Sequence, residues 1–303
     1  MAEIILHHYD RSPFSEKVRL VCGLKGVTWR SVDIPRWMPK PELMPLTGGY
    51  RKTPVMQIGA DIYCDTRCIL REVERRFPKP ALYGAGGGDL IAAWADSALF
   101  TNAVGVVFGT FADQFPSELK DDRRKFTNGL FDADRMKARQ PAIRAQFRAH
   151  AQWIEGALAD GRAHVLGAAP GIADFALYHV LWFVCGNIEE VDLLAGCDAT
   201  KAWLERMAKL GHGTRTPLDA KEALAIARAA RPDSVERRGG GDMSGRRPGE
   251  RVTVAANDYG RDPVAGELLA IDDRAIVIRR VDPEAGDLNL HFPRAGFDVA
   301  AAP

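Results

Sequence analysis

Lys52-Thr53-Pro54-Val55-Met56-Gln57-Ile58, followed across Gly59-Ala60 by Asp61-Ile62-Tyr63-Cys64-Asp65-Thr66, sets groups that can bind a peptide beside groups that can bind an anion. Proline cannot donate to a sheet, so Pro54 belongs at the first residue of a strand or on an edge. Val55 to Ile58 and Asp61 to Cys64 are then the arms of a short hairpin. A cis Thr53–Pro54 bond would turn Thr53 so that its N–H and C=O could pair with a peptide-like ligand as one more strand. Asp65-Thr66 opens an amphipathic run from Cys68 to Phe77, with Ile69, Leu70, Val73 and Phe77 apolar. A cap at either residue leaves first-turn N–H groups and a small hydroxyl beside the hairpin. Ser12 is a further candidate. Pro13 suits the first helical position, which makes Ser12 the N-cap, able to accept from the helix and still donate outward. Each of these residues alone is an ordinary cap; together they point to a ligand.

The elements that must position them are short. Ile4 to His7 is a strand, Tyr9 to Pro13 a turn, and Phe14 to Lys25 a helix with Val18, Val21, Cys22 and Leu24 on its apolar side. Gly26 stops that helix, and Thr28 to Ile34 is a second strand. Strand, helix, strand, proline-rich loop, hairpin, helix is a thioredoxin-like order. No Cys-x-x-Cys stands at the first helix, where Ser12-Pro13-Phe14-Ser15 is found instead.

Ser12 to Leu20, the Thr-Pro-Val strand entry and the Asp65-Thr66 pair resemble the serine-type glutathione S-transferases, especially the tau and zeta classes and their bacterial relatives. The resemblance is strong over the first 80 residues or so, looser over the next 150, and absent from the last 60. It implies glutathione as co-substrate and a catalytic Ser12 that donates to the sulfur without attacking anything itself, with Ser15 and Tyr9 as fallback donors. A free thiol has a pKa near 8.5, so a hydroxyl and a helix N-terminus aimed at it favour the thiolate. Thr53 and Pro54 would bind the peptide backbone, and Asp65 and Thr66 would hold the γ-glutamyl end. Lys40 and Lys52 would take the glycine carboxylate. A second substrate would lie between the domains, against Trp94, Phe100, Val104 and Phe108, although an aromatic stripe at helical spacing is more often core. The activity implied is attack of the glutathione sulfur on a small apolar electrophile, in a cytoplasmic, homodimeric enzyme of detoxification. The rival readings are a ligand-binding or scaffold protein on the same fold, and a glutathione-dependent isomerase or dehalogenase.

The 303 residues carry a formal net charge of +1 and are 46% hydrophobic, which gives no support for attraction to nucleic acid or to an anionic membrane. No signal peptide and no run of membrane-spanning length is expected. The five cysteines are scattered and read as buried reduced thiols, and no metal-ligand spacing is present; His7 and His8 are adjacent on a strand and face opposite ways.

The expected organisation is a thioredoxin-like domain at 1–80, an all-helical domain at 88–230, a flexible linker at 231–249 and a small all-β, barrel-like module at 250–303. Pro141 to Leu158 sets Ile143, Phe147, Ala151, Ile154 and Leu158 on one face, and Gly171-Ile172-Ala173-Asp174 starts an apolar helix with Gly171 as cap and Asp174 satisfying an orphan donor. Residues 231–249 are rich in Gly, Arg, Pro and Ser without periodicity. From Arg251 the pattern changes to period two, with turns at Asn257-Asp258-Tyr259-Gly260, Ile271-Asp272-Asp273 and Glu284-Ala285-Gly286-Asp287. A module of this size is near the lower limit for its own core, so docking on the helical domain is expected.

Overall fold

A computed structural model describes residues 3–84, 86–188, 192–236 and 242–302. The chain begins with β1 (Ile4–His8), α1 (Pro13–Leu24), β2 (Thr28–Asp33), α2 (Met44–Thr47), β3 (Val55–Ile58), β4 (Asp61–Cys64) and α3 (Thr66–Arg76). β1 pairs with β2 in parallel and with β3 antiparallel, and β3 with β4 antiparallel. The hairpin has the predicted boundaries, and the Thr53–Pro54 bond is cis. Every residue of β1, β3 and β4 is buried, as strands covered on both faces must be.

A helical unit follows: α4 (Gly88–Trp94), α5 (Phe100–Thr110), α6 (Ser117–Phe126), α7 (Ala133–Ala138), α8 (Gln140–Leu158), α9 (Ile172–Cys185) and α10 (Asp198–Ala208). A π-turn at Ala95–Leu99 joins α4 to α5 without a break. Contrary to expectation, the resulting run Gly88–Thr110 does reach membrane-spanning length, with an 18-residue stretch of mean hydropathy 1.5, and half of that stretch is buried within the protein. Phe147, Ala151, Ile154 and Leu158 of α8 are buried as the spacing predicts, with Ile143 half-buried at the end of the stripe. The α9 start is fixed by Asp174, which is fully buried. Its Oδ2 accepts from Gly171 N at 3.0 Å, and its Oδ1 accepts from Val165 N and Trp203 Nε1, both at 2.9 Å. One carboxylate thus caps a helix that has no capping side chain at Gly171 and also ties α9 to α10.

The chain then returns to the sheet. β5 (Thr214–Pro217) pairs in parallel with β2, and α11 (Ala220–Ala229) follows it. This departs from the expected helical domain at 88–230, because Thr214 to Pro217 is exposed along its length and carries no apolar alternation to mark a strand. The compact units run accordingly: Met1–Val18, Thr28–Arg75 and Thr214–Pro303 form one, Arg19–Val27 and Arg76–Gly213 the other.

The last five strands are β6 (Arg251–Ala256), β7 (Val264–Ile271), β8 (Ala275–Asp282), β9 (Gly286–Pro293) and β10 (Phe297–Ala301). β6 to β9 form an antiparallel meander with β10 beside β6. Residues 294–296 alone connect β9 to β10, a reach of about 14 Å, whereas four flat strand spacings would separate them by about 19 Å. The module is therefore curled. The module continues the thioredoxin-like sheet: β9 pairs in parallel with β4, Ile62 opposite Leu290, giving the order β10-β6-β7-β8-β9-β4-β3-β1-β2-β5. One apolar core runs through both parts, from Ile5, Val55 and Ile62 to Leu268, Ile278, Leu290, Phe292 and Phe297. That docking solves the small-module problem, since the five strands share a core they could not build alone.

The segment read as a flexible linker is tied at both described ends. Asp233 N donates to Asp61 Oδ2 at 2.8 Å, and Asn289 Nδ2 donates to the Asp233 carbonyl at 2.9 Å. Arg294 Nε donates to Asp242 Oδ1 at 2.5 Å. Residues 237–241 of that segment lie outside the described residues.

Candidate functional site

The register of three strands decides what meets what. His7 lies opposite Val55 in the β1–β3 pair, and Val55 lies opposite Cys64 in the β3–β4 pair. The C-terminal end of β1, the entry of β3 at Thr53–Pro54 and the exit of β4 at Asp65 therefore sit at one end of the sheet. α1 starts from the first of these and α3 from the third, so two helix N-termini face the same end.

Ser12 caps α1 as predicted. Its Oγ accepts from Ser15 N at 3.2 Å and its carbonyl accepts from Glu16 N at 2.9 Å, while its own N–H donates to the Tyr9 carbonyl at 3.1 Å. The hydroxyl hydrogen is not used in that cap. Ser15 is fully buried with no hydrogen-bond partner for its Oγ, and Tyr9 packs beside the shared core. Asp65 adopts φ +78°, rare for a residue with a Cβ. Its Oδ1 accepts from Arg67 N at 2.9 Å and its carbonyl from Ile69 N at 3.0 Å, so it caps α3, and Thr66 is the first helical residue.

Neither lysine is a solvated side chain. Lys40 is buried, and its Nζ donates to Thr53 Oγ1 at 3.1 Å and to the Arg51 carbonyl at 3.3 Å. Lys52 Nζ lies 2.5 Å from Asp258 Oδ1 and 4.3 Å from the centre of the Tyr259 ring. In the sequence, Asp258 and Tyr259 are marked only as part of a turn. They lie some 200 positions downstream, and nothing local to them signals a partner. A second such contact is Arg67 Nη1 donating to the Ala295 carbonyl at 3.1 Å.

Cys64 and Cys68 lie at this end, and Cys22 lies in the last turn of α1, away from it. Burial pushes the Cys64 and Cys68 thiols far above the ordinary range, with Cys68 and Asp65 respectively adding repulsion, and burial pushes Cys22 to about 12. Of the residues expected to line a second-substrate pocket, Phe100 and Val104 are buried, Phe100 among Phe131, His179 and Phe183. Trp94 packs instead on His150 and Trp153, and Phe108 on Phe115.

Residues 6–81 match the family model for the glutathione S-transferase N-terminal domain, and residues 137–206 match that for the C-terminal domain. The solved structure of a GST-like protein from Pseudomonas syringae is 38% identical, with TM-score 0.78 and all of both chains covered. The chain belongs to the glutathione S-transferase family. A theta class transferase from Xanthomonas axonopodis pv. citri, solved with glutathione bound, shares the fold at 19% identity and TM-score 0.52, over 71% of this chain and 99% of its own. FtsZ-localized protein A of Caulobacter vibrioides (strain NA1000 / CB15N) is 26% identical over 182 residues, 57% of this chain and 74% of the relative. The full-length match to the Pseudomonas syringae protein includes the C-terminal strands, so this transferase-family chain shares its module with at least that relative.

Proposed function

We propose that this chain is a glutathione transferase that ionises glutathione at the sheet end described above and adds its sulfur to a small apolar electrophile. The observation that carries the reading is the convergence of the Ser12 cap, the Thr53–Pro54 strand entry and the Asp65–Thr66 helix start at one end of one sheet. Thr53 N–H and C=O would pair with the cysteinyl residue of the tripeptide. The α3 N-terminus and the Thr66 hydroxyl would receive the γ-glutamyl carboxylate, and Asp65 the ammonium. Ser12 would donate its unused hydroxyl hydrogen to the sulfur, while Lys40 and Lys52 face the glycine end. The thiol proton passes to solvent water, the ionised sulfur forms a C–S bond with the electrophilic carbon, and the displaced electron pair leaves on the departing group or takes up a proton from water. A cytoplasmic, dimeric, detoxifying enzyme is the setting this reading implies.

The test is calorimetric binding of glutathione to the wild-type and Ser12→Ala proteins, with thiolate absorbance followed against pH. A hydrogen bond to a charged partner contributes about 1.5–3 kcal/mol, so the alanine variant should raise the bound thiol's pKa by about one to two units. An unchanged titration would move the role to Ser15 or Tyr9, and absence of binding would remove the reading. A scaffold role is the second reading, supported by likeness to a protein named for localisation to FtsZ. Glutathione binding with no turnover across a panel of electrophiles would favour it.

A further inference from the structure

We infer that the turn between β6 and β7 is a wall of the ligand site, with Asp258 standing on Lys52 where a ligand's terminal carboxylate would otherwise bind. The inference rests on the glutathione reading above and adds the class of thiol peptide the site prefers. Four observations carry it. Lys52 directly precedes the Thr53–Pro54 strand entry, and its ammonium is already met by Asp258 Oδ1 at 2.5 Å. The Tyr259 ring lies over the same ammonium at 4.3 Å, a cation–π distance. The turn itself is braced, since Arg261 donates to the carbonyls of Asp258 at 3.0 Å and Asn257 at 2.9 Å. The loop that carries Lys52 is held against the same module, because Tyr50 packs on Phe292 and Phe297, and Arg280 Nη1 donates to the Pro45 carbonyl at 2.8 Å.

The electrostatic consequence follows from counting charges at one cation. Lys52 with Asp258 is a neutral pair. A peptide ending in a free carboxylate must displace Asp258 or sit beside it, and either is unfavourable. A γ-glutamylcysteinyl peptide whose far end is uncharged, as an amide or ester, meets no such competitor, and its amide N–H groups can donate to Asp258. The module thus acts on specificity from outside the thioredoxin-like core, by placing an internal carboxylate in the subsite. Asp258 is half-exposed, so its removal should leave the fold intact.

The experiment compares dissociation constants of glutathione and its glycinamide analogue for the wild-type, Asp258→Asn and Lys52→Met proteins. In the wild type the amide should bind at least as tightly as the acid. An exposed ion pair is worth up to about 1 kcal/mol, so Asp258→Asn should shift the acid-to-amide preference toward the acid by about three- to fivefold. Lys52→Met should erase the discrimination. A preference unchanged by Asp258→Asn, with glutathione still bound, overturns the inference and leaves the transferase reading standing. If neither peptide binds any of the three proteins, the reading and the inference fall together.

Discussion

Phe292→Ala should destabilise the whole sheet-containing unit and with it the thiol end of the molecule. Phe292 lies on β9, is fully buried, and stands edge-on to Tyr50 at 6.0 Å and tilted against Phe297 at 5.4 Å. Its partners therefore come from the loop before β3 and from β10, on both sides of the β4–β9 seam. Truncating a buried phenylalanine costs about 3–5 kcal/mol through lost transfer energy and the cavity left behind. At about 2–4 °C per kcal/mol for a unit of this size, the melting temperature should fall by about 6–20 °C. The informative assay is hydrogen exchange read by mass spectrometry under mild urea. Peptides from β1 and β2, several strands away from Phe292, should lose protection together with those from β7 to β10, because one core spans both. If β1 and β2 keep wild-type protection while the C-terminal strands exchange freely, the module folds as a separate body and the shared-core argument is refuted.

Two further predictions concern buried polar groups. His7 is held neutral, its pKa lowered to about 4 by burial and only partly restored by its bond to Gln57 Oε1 at 2.8 Å; because the unfolded chain takes up that proton at higher pH, stability should fall as pH drops from about 6.5 to 4, by about 3 kcal/mol. Urea midpoints across that range should be flatter for His7→Gln, and equal slopes in the two proteins would show that other groups set the acid limit. Asp174→Ala strips the acceptor from the buried Val165 and Trp203 N–H groups and from the half-buried Gly171 N–H and should cost the helical unit about 3–5 kcal/mol, measured by chemical denaturation at the tryptophan emission; a loss within error of zero would show that those donors find other acceptors.

What could be read from the residues divides by range. The β3–β4 hairpin, the Ser12 cap and the Asp174 cap were all legible, because each depends on residues within a few positions of one another and on rules of local geometry. The C-terminal strands were legible as strands from their alternation. Their destination was not, because pairing Ile62 with Leu290 is a choice of edge that no local pattern encodes. β5 escaped notice for the opposite reason: it is exposed along its length, so burial leaves no mark on its composition. Lys52 shows the same limit in the site. Its residue type and its place before Thr53 were informative, yet its partner at Asp258 appears only when β6 and β7 are folded against the sheet.

The β4–β9 seam also fixes an order of events during synthesis. β4 is an edge of the thioredoxin-like sheet until β9 exists, and Asn289 follows its partner Asp61 by 228 residues. At about 5–20 residues per second, the ribosome leaves that edge without its native neighbour for about 10–45 s. During this interval the nascent chain presents unpaired N–H and C=O groups on an apolar strand, the kind of edge that templates pairing with other chains. Translation speed through the helical region thus becomes a determinant of how much of the protein reaches its native state, and slowing that region should lower the soluble yield.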